Sequence, residues 1–226
     1  MNAFGDVFRN LDWSVVTTAL LSVIPILICL TIHELAHGAA ALALGDDTAK
    51  RMGRLTLNPI RHIDPIGFLM LLIARFGWAK PVPVDMRKFR NPKFGMAVTA
   101  LAGPVSNFLL AILILLFQVP IMRLVNGDGV GHYVGEILRM TAIISVFLGV
   151  FNLLPIPPLD GSKIVFSILP DKQHNWLMRY ERYGFFLLLV IVMFGFSPDG
   201  PLRTFMNTVL DGFVNLTHGP SMFLFG

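Results

Sequence analysis

Four long stretches of this 226-residue chain carry no charged side chain, and this feature constrains the fold more than any other. The first three contain the roughly 20 residues that a helix needs to cross the hydrocarbon core of a bilayer. Charged residues make up only 14% of the chain, against roughly 25% in ordinary globular domains. The uncharged stretches are residues 13–32, 94–122, 140–159 and 183–198.

These patterns predict an all-α membrane protein that forms one domain over residues 1–226. We expect about four transmembrane helices and an amphipathic tail at the membrane interface. The third helix should be broken near its end, because three prolines within residues 155–158 cannot continue a regular helix. The expected spans are residues 13–44, 94–120, 138–156 and 183–198, and the expected tail is residues 202–216.

The positive charges predict the orientation in the membrane. Fourteen of the eighteen Lys and Arg residues fall within residues 45–93 and 160–182, on one side of the predicted spans. The positive-inside rule makes that side cytoplasmic, so both termini of this cell-membrane protein should lie outside. The basic run at residues 87–93 fits contact with anionic lipid, and nucleic-acid binding is a poor fit.

The first uncharged stretch leads directly into His33-Glu34-Leu35-Ala36-His37. Residues four apart lie on one face of a helix, so His33 and His37 can both reach one Zn²⁺. Glu34 lies beside them and can act as base on a metal-bound water. The pattern therefore indicates metal-assisted hydrolysis within a membrane helix, towards its cytoplasmic end.

A catalytic zinc site usually has three protein ligands, so a further one is expected downstream. His132 and His218 fall on the opposite side of the membrane, and His174 falls in a polar loop. Asp160 is the strongest candidate, because it follows the proline-rich break in the third span. Broken helices at membrane depth are tolerated where they line a cavity or are packed in protein. Asp64 is the next candidate.

The order of these motifs resembles the site-2 protease family of intramembrane zinc metalloproteases, in its compact bacterial and archaeal branch. The matching elements are the histidine motif at residues 33–37, Gly103-Pro104-Val105-Ser106-Asn107, and Asn152-x-x-Pro155-x-Pro157-x-Leu159-Asp160-Gly161. A further stretch, residues 53–67, is similar to that branch. Many relatives carry a PDZ or a C-terminal regulatory domain, and no insertion of domain size is expected here.

The resemblance implies one Zn²⁺ per chain, held by His33, His37 and Asp160, with Glu34 as the catalytic base. It implies cleavage of a membrane-spanning protein substrate near the cytoplasmic face, usually after another protease has trimmed it. Substrate access would then depend on the membrane core or on a partner protein.

Two asparagines in the matched motifs are candidates for substrate or oxyanion contact. Asn152 precedes the prolines and could donate to the substrate backbone or to the developing oxyanion; the alternative is a cap for the broken helix. Asn107 lies within the second span, where a buried amide often only joins helices.

Residues 52–84, between the first two spans, are predicted to handle the substrate. A short apolar piece, residues 65–74, is too short to span and suggests a re-entrant or interfacial, β-hairpin-like segment. Val82 and Val84 alternate with Pro81 and Pro83, and proline suits edge strands. Such an edge could hold an extended substrate by β-augmentation. The alternative is a surface hairpin with no substrate contact, and His62 and Asp64 within it are expected to be structural.

Two other classes fit parts of the sequence. Intramembrane metalloproteases that cleave prenylated proteins use a downstream Glu in a different motif. A zinc-binding membrane chaperone or transporter on the same scaffold would have no need of a base at Glu34. Transporters also favour repeated halves, and this chain shows no internal repeat.

Overall fold

A computed structural model describes residues 13–74, 77–125, 129–170 and 200–225, with isolated positions between 184 and 195. Within these ranges the chain is mostly helical, and no strand is formed. A single antiparallel bridge joins Ile63 to Ala79. The helices are α1 (Trp13–Ala43), α2 (Thr48–Arg51), α3 (Pro65–Ala74), α4 (Pro92–Leu124), α5 (Val130–Asn152), α6 (Asp160–Ile168) and α7 (Pro201–Phe225), with 3-10 turns at Pro59–His62 and Met86–Lys88.

Three of these helices are long and apolar enough to cross a membrane. They are Leu20–Ala43 within α1, the whole of α4 and the whole of α5. This supports a helical membrane protein. Most of the fourth uncharged stretch, residues 183–198, lies outside the described residues, so a fourth crossing stays a prediction.

Helix α5 begins earlier than the expected span because its charged residues are accommodated on the helix itself. Glu136 and Arg139, three residues apart, form an ion pair of 3.0 Å along the helix. The helix can therefore begin at Val130 rather than near residue 138. It ends at Asn152, three residues before the first proline of the break.

A non-helical turn of residues 153–159 separates α5 from α6, which begins at Asp160. Backbone hydrogen bonds from Ile156 to Leu154 (2.8 Å) and from Leu159 to Ile156 (2.9 Å) hold this turn. Gly161 permits the close approach of α6, because a Cβ there would lie 2.2 Å from the Leu153 carbonyl oxygen. The turn therefore places Asp160 directly against the end of α5.

The small side chains of the spans allow α1, α4 and α5 to pack closely. The Ser145 hydroxyl of α5 donates to the Asn107 carbonyl of α4 at 2.8 Å. Gly149 of α5 faces Phe108, whose ring would lie 2.7 Å from an added Cβ. Buried Ala111 of α4 and Val146 of α5 belong to an apolar core cluster that also contains Met206 of α7.

Helix α7, which includes the predicted interfacial tail, packs against α4 and α5. Residues 203–210 of α7 and residues 143–147 of α5 line a common pocket. Further along α7, the Phe213 ring lies 5.4 Å from that of Phe108, which itself faces Gly149. Helix α7 therefore runs parallel to α5, and its C-terminal end points towards the same end of the molecule as Asn152.

Candidate metal centre and active site

Three buried ligand atoms from α1 and α6 converge on one point. His33 Nε2 and His37 Nε2 lie 3.0 Å apart. Asp160 Oδ2 lies 3.0 Å from the first and 3.1 Å from the second, although 127 residues separate it from His33 in sequence. Among the described residues, these side chains form the one cluster with a spacing suited to a metal ion.

The three donors suit Zn²⁺ in chemistry and in spacing. Two imidazoles and one carboxylate are a ligand set found in catalytic zinc sites, which keep a further position for water or substrate. Ligand atoms about 2.1 Å from a tetrahedral metal lie roughly 3.4 Å from one another. The observed separations of 3.0–3.1 Å need to open by only a few tenths of an ångström.

His37 is oriented to bind a metal through Nε2, because its other ring nitrogen is held by α4. Its Nδ1 lies 2.7 Å from the Thr99 carbonyl oxygen of α4. Because a carbonyl only accepts, Nδ1 must carry the proton and donate it, which leaves the Nε2 lone pair free. Helix α4 thereby fixes both the orientation and the tautomer of this imidazole.

Asn107 of α4 plays the same part for His33. Its side-chain amide lies 3.1 Å from His33 Nδ1 and is fully buried, and its Oδ1 is a buried acceptor that lacks a partner as placed. Amide oxygen and nitrogen are assigned from the surrounding hydrogen bonds. Turning the amide over lets Oδ1 accept from Nδ1–H of His33, which satisfies the orphaned oxygen and frees Nε2 for a metal.

Gly103 brings α4 against both imidazoles. A Cβ at this position would lie 2.5 Å from His37 Cε1 and 2.6 Å from His33 Cε1. Gly103 is one helical turn before Asn107, so both residues face the same side of α4. Only glycine lets the helix approach closely enough for the Asn107 amide and the Thr99 carbonyl to reach the histidines.

The charge of Asp160 is stabilised by its surroundings. Burial alone would raise the pKa of this carboxyl group, but the imidazoles of His33 and His37, 3.0 and 3.1 Å from Oδ2, outweigh burial. The Lys163 ammonium, 3.1 Å from Oδ1 on the next turn of α6, adds to this effect. The pKa of Asp160 is therefore held well below its ordinary value, and the residue is an anion suited to bind a cation.

Glu34 lies beside the cluster on α1 and is also buried. Its Oε2 accepts a hydrogen bond of 2.8 Å from the backbone N–H of Val82. Val82 belongs to the segment between the first two spans, so that segment reaches the proposed catalytic base.

The remaining predicted residues form hydrogen bonds with groups outside the cluster. The Asn152 side chain donates to the Leu148 carbonyl at 3.0 Å, within the last turn of α5. His62 is buried, with Nε2 2.8 Å from the Thr56 carbonyl oxygen. Asp64 accepts from the backbone N–H groups of Ile66 and Gly67 and so caps α3. Asp64 and His62 therefore stabilise the local structure of this segment.

An apolar cavity of about 510 Å³ lies along α1, on the N-terminal side of the histidine motif. Leu30, on its wall, is one helical turn before Glu34 on α1, and Phe151 is adjacent to Asn152. The cavity is lined by residues of α1, α3, α5 and the segment after α3, among them Leu30, Thr31, Gly67, Leu71, Trp78 and Phe147.

From the sequence alone, Thr99 was not identified as part of the site, whereas Gly103 was named only within the matched motif and Val82 only within the substrate-handling segment. Thr99 acts through its backbone carbonyl, which no side-chain pattern can indicate. Gly103 stands four residues before Asn107, and this spacing was the available signal. The Val82 contact bridges 48 residues and depends on how the loop folds back on α1.

Comparison with known proteins places these motifs in a family. The model of "Peptidase family M50" matches residues 119–195, a region that includes Asn152 and Asp160. "Putative zinc metalloprotease YwhC" of Bacillus subtilis is 40% identical over 173 residues, which are 75% of this chain and 78% of that protein.

More distant relatives carry similar names. "Putative zinc metalloprotease Rip2" of Mycolicibacterium smegmatis is 31% identical over 175 residues, which are 74% of this chain and 64% of Rip2. "Zinc metalloprotease MJ0392" of Methanocaldococcus jannaschii is 29% identical over 107 residues, which are 46% of this chain and 29% of that protein. No solved structure matches the chain at a significant level.

Proposed function

Because this chain belongs to peptidase family M50 and is a zinc metalloprotease of the site-2 type, we propose that it cleaves a membrane-spanning protein substrate near the cytoplasmic face. The observation that carries the proposal is the cluster of His33, His37 and Asp160, with Glu34 beside it, on helices suited to a membrane. Its cofactor is Zn²⁺.

In this proposal His33, His37 and Asp160 hold the zinc ion. When bound, zinc lowers the pKa of a water molecule to about 7 and polarises the scissile carbonyl group. Glu34 accepts the proton of the attacking water on its carboxylate and later delivers it to the leaving amine. Asn107 and Thr99 keep the two imidazoles in the tautomer that exposes Nε2.

Asn152 remains our candidate for a group that binds the substrate backbone or the developing oxyanion. It stands at the break after α5, next to a wall of the apolar cavity. Its amide donates one hydrogen bond, to Leu148, and an amide has a second N–H to offer. For Asn107 the contact with His33 favours a role in orienting the metal ligand over direct contact with substrate.

The apolar cavity is our candidate for the place where the substrate binds. A peptide bond inside a helix is shielded, so the substrate must be unwound before hydrolysis. Leu30 on the cavity wall is one helical turn before Glu34, and residues of the 52–84 segment form part of the same wall. We therefore propose that this segment holds the extended substrate, which another protease has usually trimmed beforehand.

The charge distribution supports a site facing the cytoplasm. The connection between α1 and α4 carries most of the positive charges, and the cluster lies at that end of α1. Helix α1 continues to Ala43, six residues past His37, or about 9 Å along the axis. The site would then lie somewhat below the cytoplasmic surface, with the N-terminus outside.

The Glu34→Gln variant tests this function directly. Wild type, Glu34→Gln and the control Glu136→Gln, which alters a partly exposed carboxylate on α5, are purified from native membranes. We expect equal zinc content in all three. Glu34→Gln should lose about 10²–10⁴-fold in hydrolysis and should retain intact membrane proteins that the wild type cleaves. Cleavage by Glu34→Gln at the wild-type rate would exclude the proposed role.

Photo-crosslinking tests the proposed substrate position. A benzophenone amino acid replaces Trp78 on the cavity wall in the Glu34→Gln background, and Leu113, an exposed residue of α4 outside the cavity, is the control. The retained substrate should crosslink at position 78 and not at position 113. The opposite pattern would exclude the cavity as the binding place.

A further inference from the structure

The Pro81-Val82-Pro83 tripeptide offers one backbone N–H, because proline has none. That single donor, on Val82, lies 2.8 Å from Oε2 of Glu34. Both partners are buried, so the bond is shielded from water. A hydrogen bond from a fixed amide to a carboxylate is among the stronger kinds in proteins.

Two side chains secure the surrounding segment, residues 80–85, on either side of Val82. Arg54 donates through Nη2 to the Lys80 carbonyl at 2.7 Å. Asp46 Oδ2 accepts from the backbone N–H of Asp85 at 2.7 Å. Lys80 also donates its own N–H to the His62 carbonyl at 2.9 Å. The Val82 amide is therefore held in place from both ends.

The Val82 side chain fixes the same segment against α1. Val82 is buried, and its Cγ1 would lie 3.3 Å from a Cβ at Gly38. Gly38 follows His37 directly, so the contact forms beside the metal ligands. The segment thus packs on the helix that carries the base, and thermal displacement of one is limited by the other.

We propose that the Val82 N–H is a positioning group for catalysis: it holds Oε2 of Glu34 and leaves Oε1 to exchange the proton in the reaction. This inference rests on the proposed function, because it assigns Glu34 the role of base. The Pro81-Val82-Pro83 tripeptide would then position Glu34 in addition to any pairing with substrate. Removing the N–H should lower kcat and leave KM and zinc content unchanged.

The sharpest test removes the N–H and nothing else. Replacing Val82 by its α-hydroxy acid turns the amide into an ester with the same side chain. Val82→Pro is the genetic counterpart, and Leu113→Ala, at an exposed position of α4 outside the cavity, is the control. Activity is measured on a pool of quenched fluorescent peptides with randomised apolar positions, in detergent micelles.

We expect kcat to fall about tenfold to a hundredfold in the ester and in Val82→Pro, as misplacement of a catalytic group does, and to stay near wild type in Leu113→Ala. An unchanged kcat in the ester would overturn the proposal. A raised kcat would also overturn it, since the segment would then be a cover that blocks Glu34. A rise in KM alone would assign Val82 to substrate binding instead.

A second measurement needs no substrate. The amide proton resonance of ¹⁵N-labelled Val82 should move upfield in Glu34→Gln, because a neutral acceptor replaces a carboxylate. An unchanged resonance would show that the hydrogen bond is absent, whatever the activity of the protein. If the wild type contains zinc but cleaves nothing, the proposed function fails, whereas this resonance reports on the Val82 contact alone.

Discussion

The two histidines of this site are oriented by residues of another helix. His33 and His37 were predicted from their spacing on one helix face, and Asp160 from the prolines that precede it. On α4, Thr99 contacts His37 across 62 residues of sequence, and Asn107 contacts His33 across 74. Local periodicity cannot predict such contacts, because they depend on how two spans pack.

The contact between Asn107 and His33 leads to a prediction on metal affinity. Asn107→Ala removes the group that orients His33 Nδ1, so zinc affinity should fall about 10–100-fold. Competition with a chelator measures this in the purified protein. Asn152→Ala, whose amide binds Leu148 within α5, is the control and should leave affinity unchanged. Equal affinity in Asn107→Ala would show that His33 is oriented by other means.

At the level of elements, the approach of α4 to α1 depends on Gly103. An added methyl group would lie within 2.6 Å of both imidazoles, which real atoms do not tolerate. We expect Gly103→Ala to lose stoichiometric zinc while its helix content, measured by circular dichroism, stays at the wild-type level. Gly212→Ala on α7, where a Cβ meets nothing within 4 Å, is the control. Full zinc retention in Gly103→Ala would contradict the observed helix packing.

The turn between α1 and α2 is stabilised by a buried carboxylate. Asp46 is fully buried, and it accepts from Thr48, from the Asp85 backbone and from Lys88. Burial alone would raise the pKa of Asp46, but these hydrogen bonds outweigh it and lower the pKa from 3.8 to about 2. Because the folded pKa is the lower one, this stabilisation is present above about pH 4 and is lost as the pH falls towards 2.

Asp46→Asn should therefore destabilise the protein at neutral pH by about 1–3 kcal/mol, the usual contribution of hydrogen bonds to a charged group. Thermal unfolding in micelles measures this. The difference from wild type should shrink as the pH is lowered from 4 towards 2. Asp47→Asn, which changes a half-exposed partner of Lys88, should have a much smaller effect. A difference that stays constant down to pH 2 would refute this assignment.

For the molecule as a whole, hydropathy predicted the helical membrane fold, and three spans are now described. The hairpin-like segment was harder to predict. Side-chain contacts from α1, its following turn and the 52–64 region hold residues 80–85, and only one backbone bridge forms within the described residues. Strand-like residue types indicated an extended backbone there, and propensity alone cannot show whether a partner strand exists.

The direction of α7 bears on the topology. Charge counting placed the C-terminus outside, whereas α7 runs parallel to α5, towards the end that carries the metal ligands. Charge counting could not detect this direction, because it arises from contacts of Phe213 and Met206 with the spans. The side of the membrane on which the C-terminus lies stays a prediction.

Cysteine labelling can test the orientation of the spans. The natural Cys29 is fully buried and should stay silent towards a membrane-impermeant maleimide. Lys50→Cys, an exposed position after α1, should react only when the reagent is given access to the cytoplasmic side. Val130→Cys, exposed at the start of α5, should react from outside. Labelling of both positions from the same side would contradict the proposed topology.

The central claim is that His33, His37 and Asp160 hold the zinc on which Glu34 depends. Its most direct test is the metal content of purified wild type, Glu34→Gln, Asp160→Ala and Asp64→Ala, measured by mass spectrometry. We expect about one zinc per chain in wild type, Glu34→Gln and Asp64→Ala, because none of these proteins lacks a metal ligand. We expect loss of stoichiometric zinc in Asp160→Ala. Retention of one zinc per chain by Asp160→Ala, or its loss from Asp64→Ala alone, would contradict the claim.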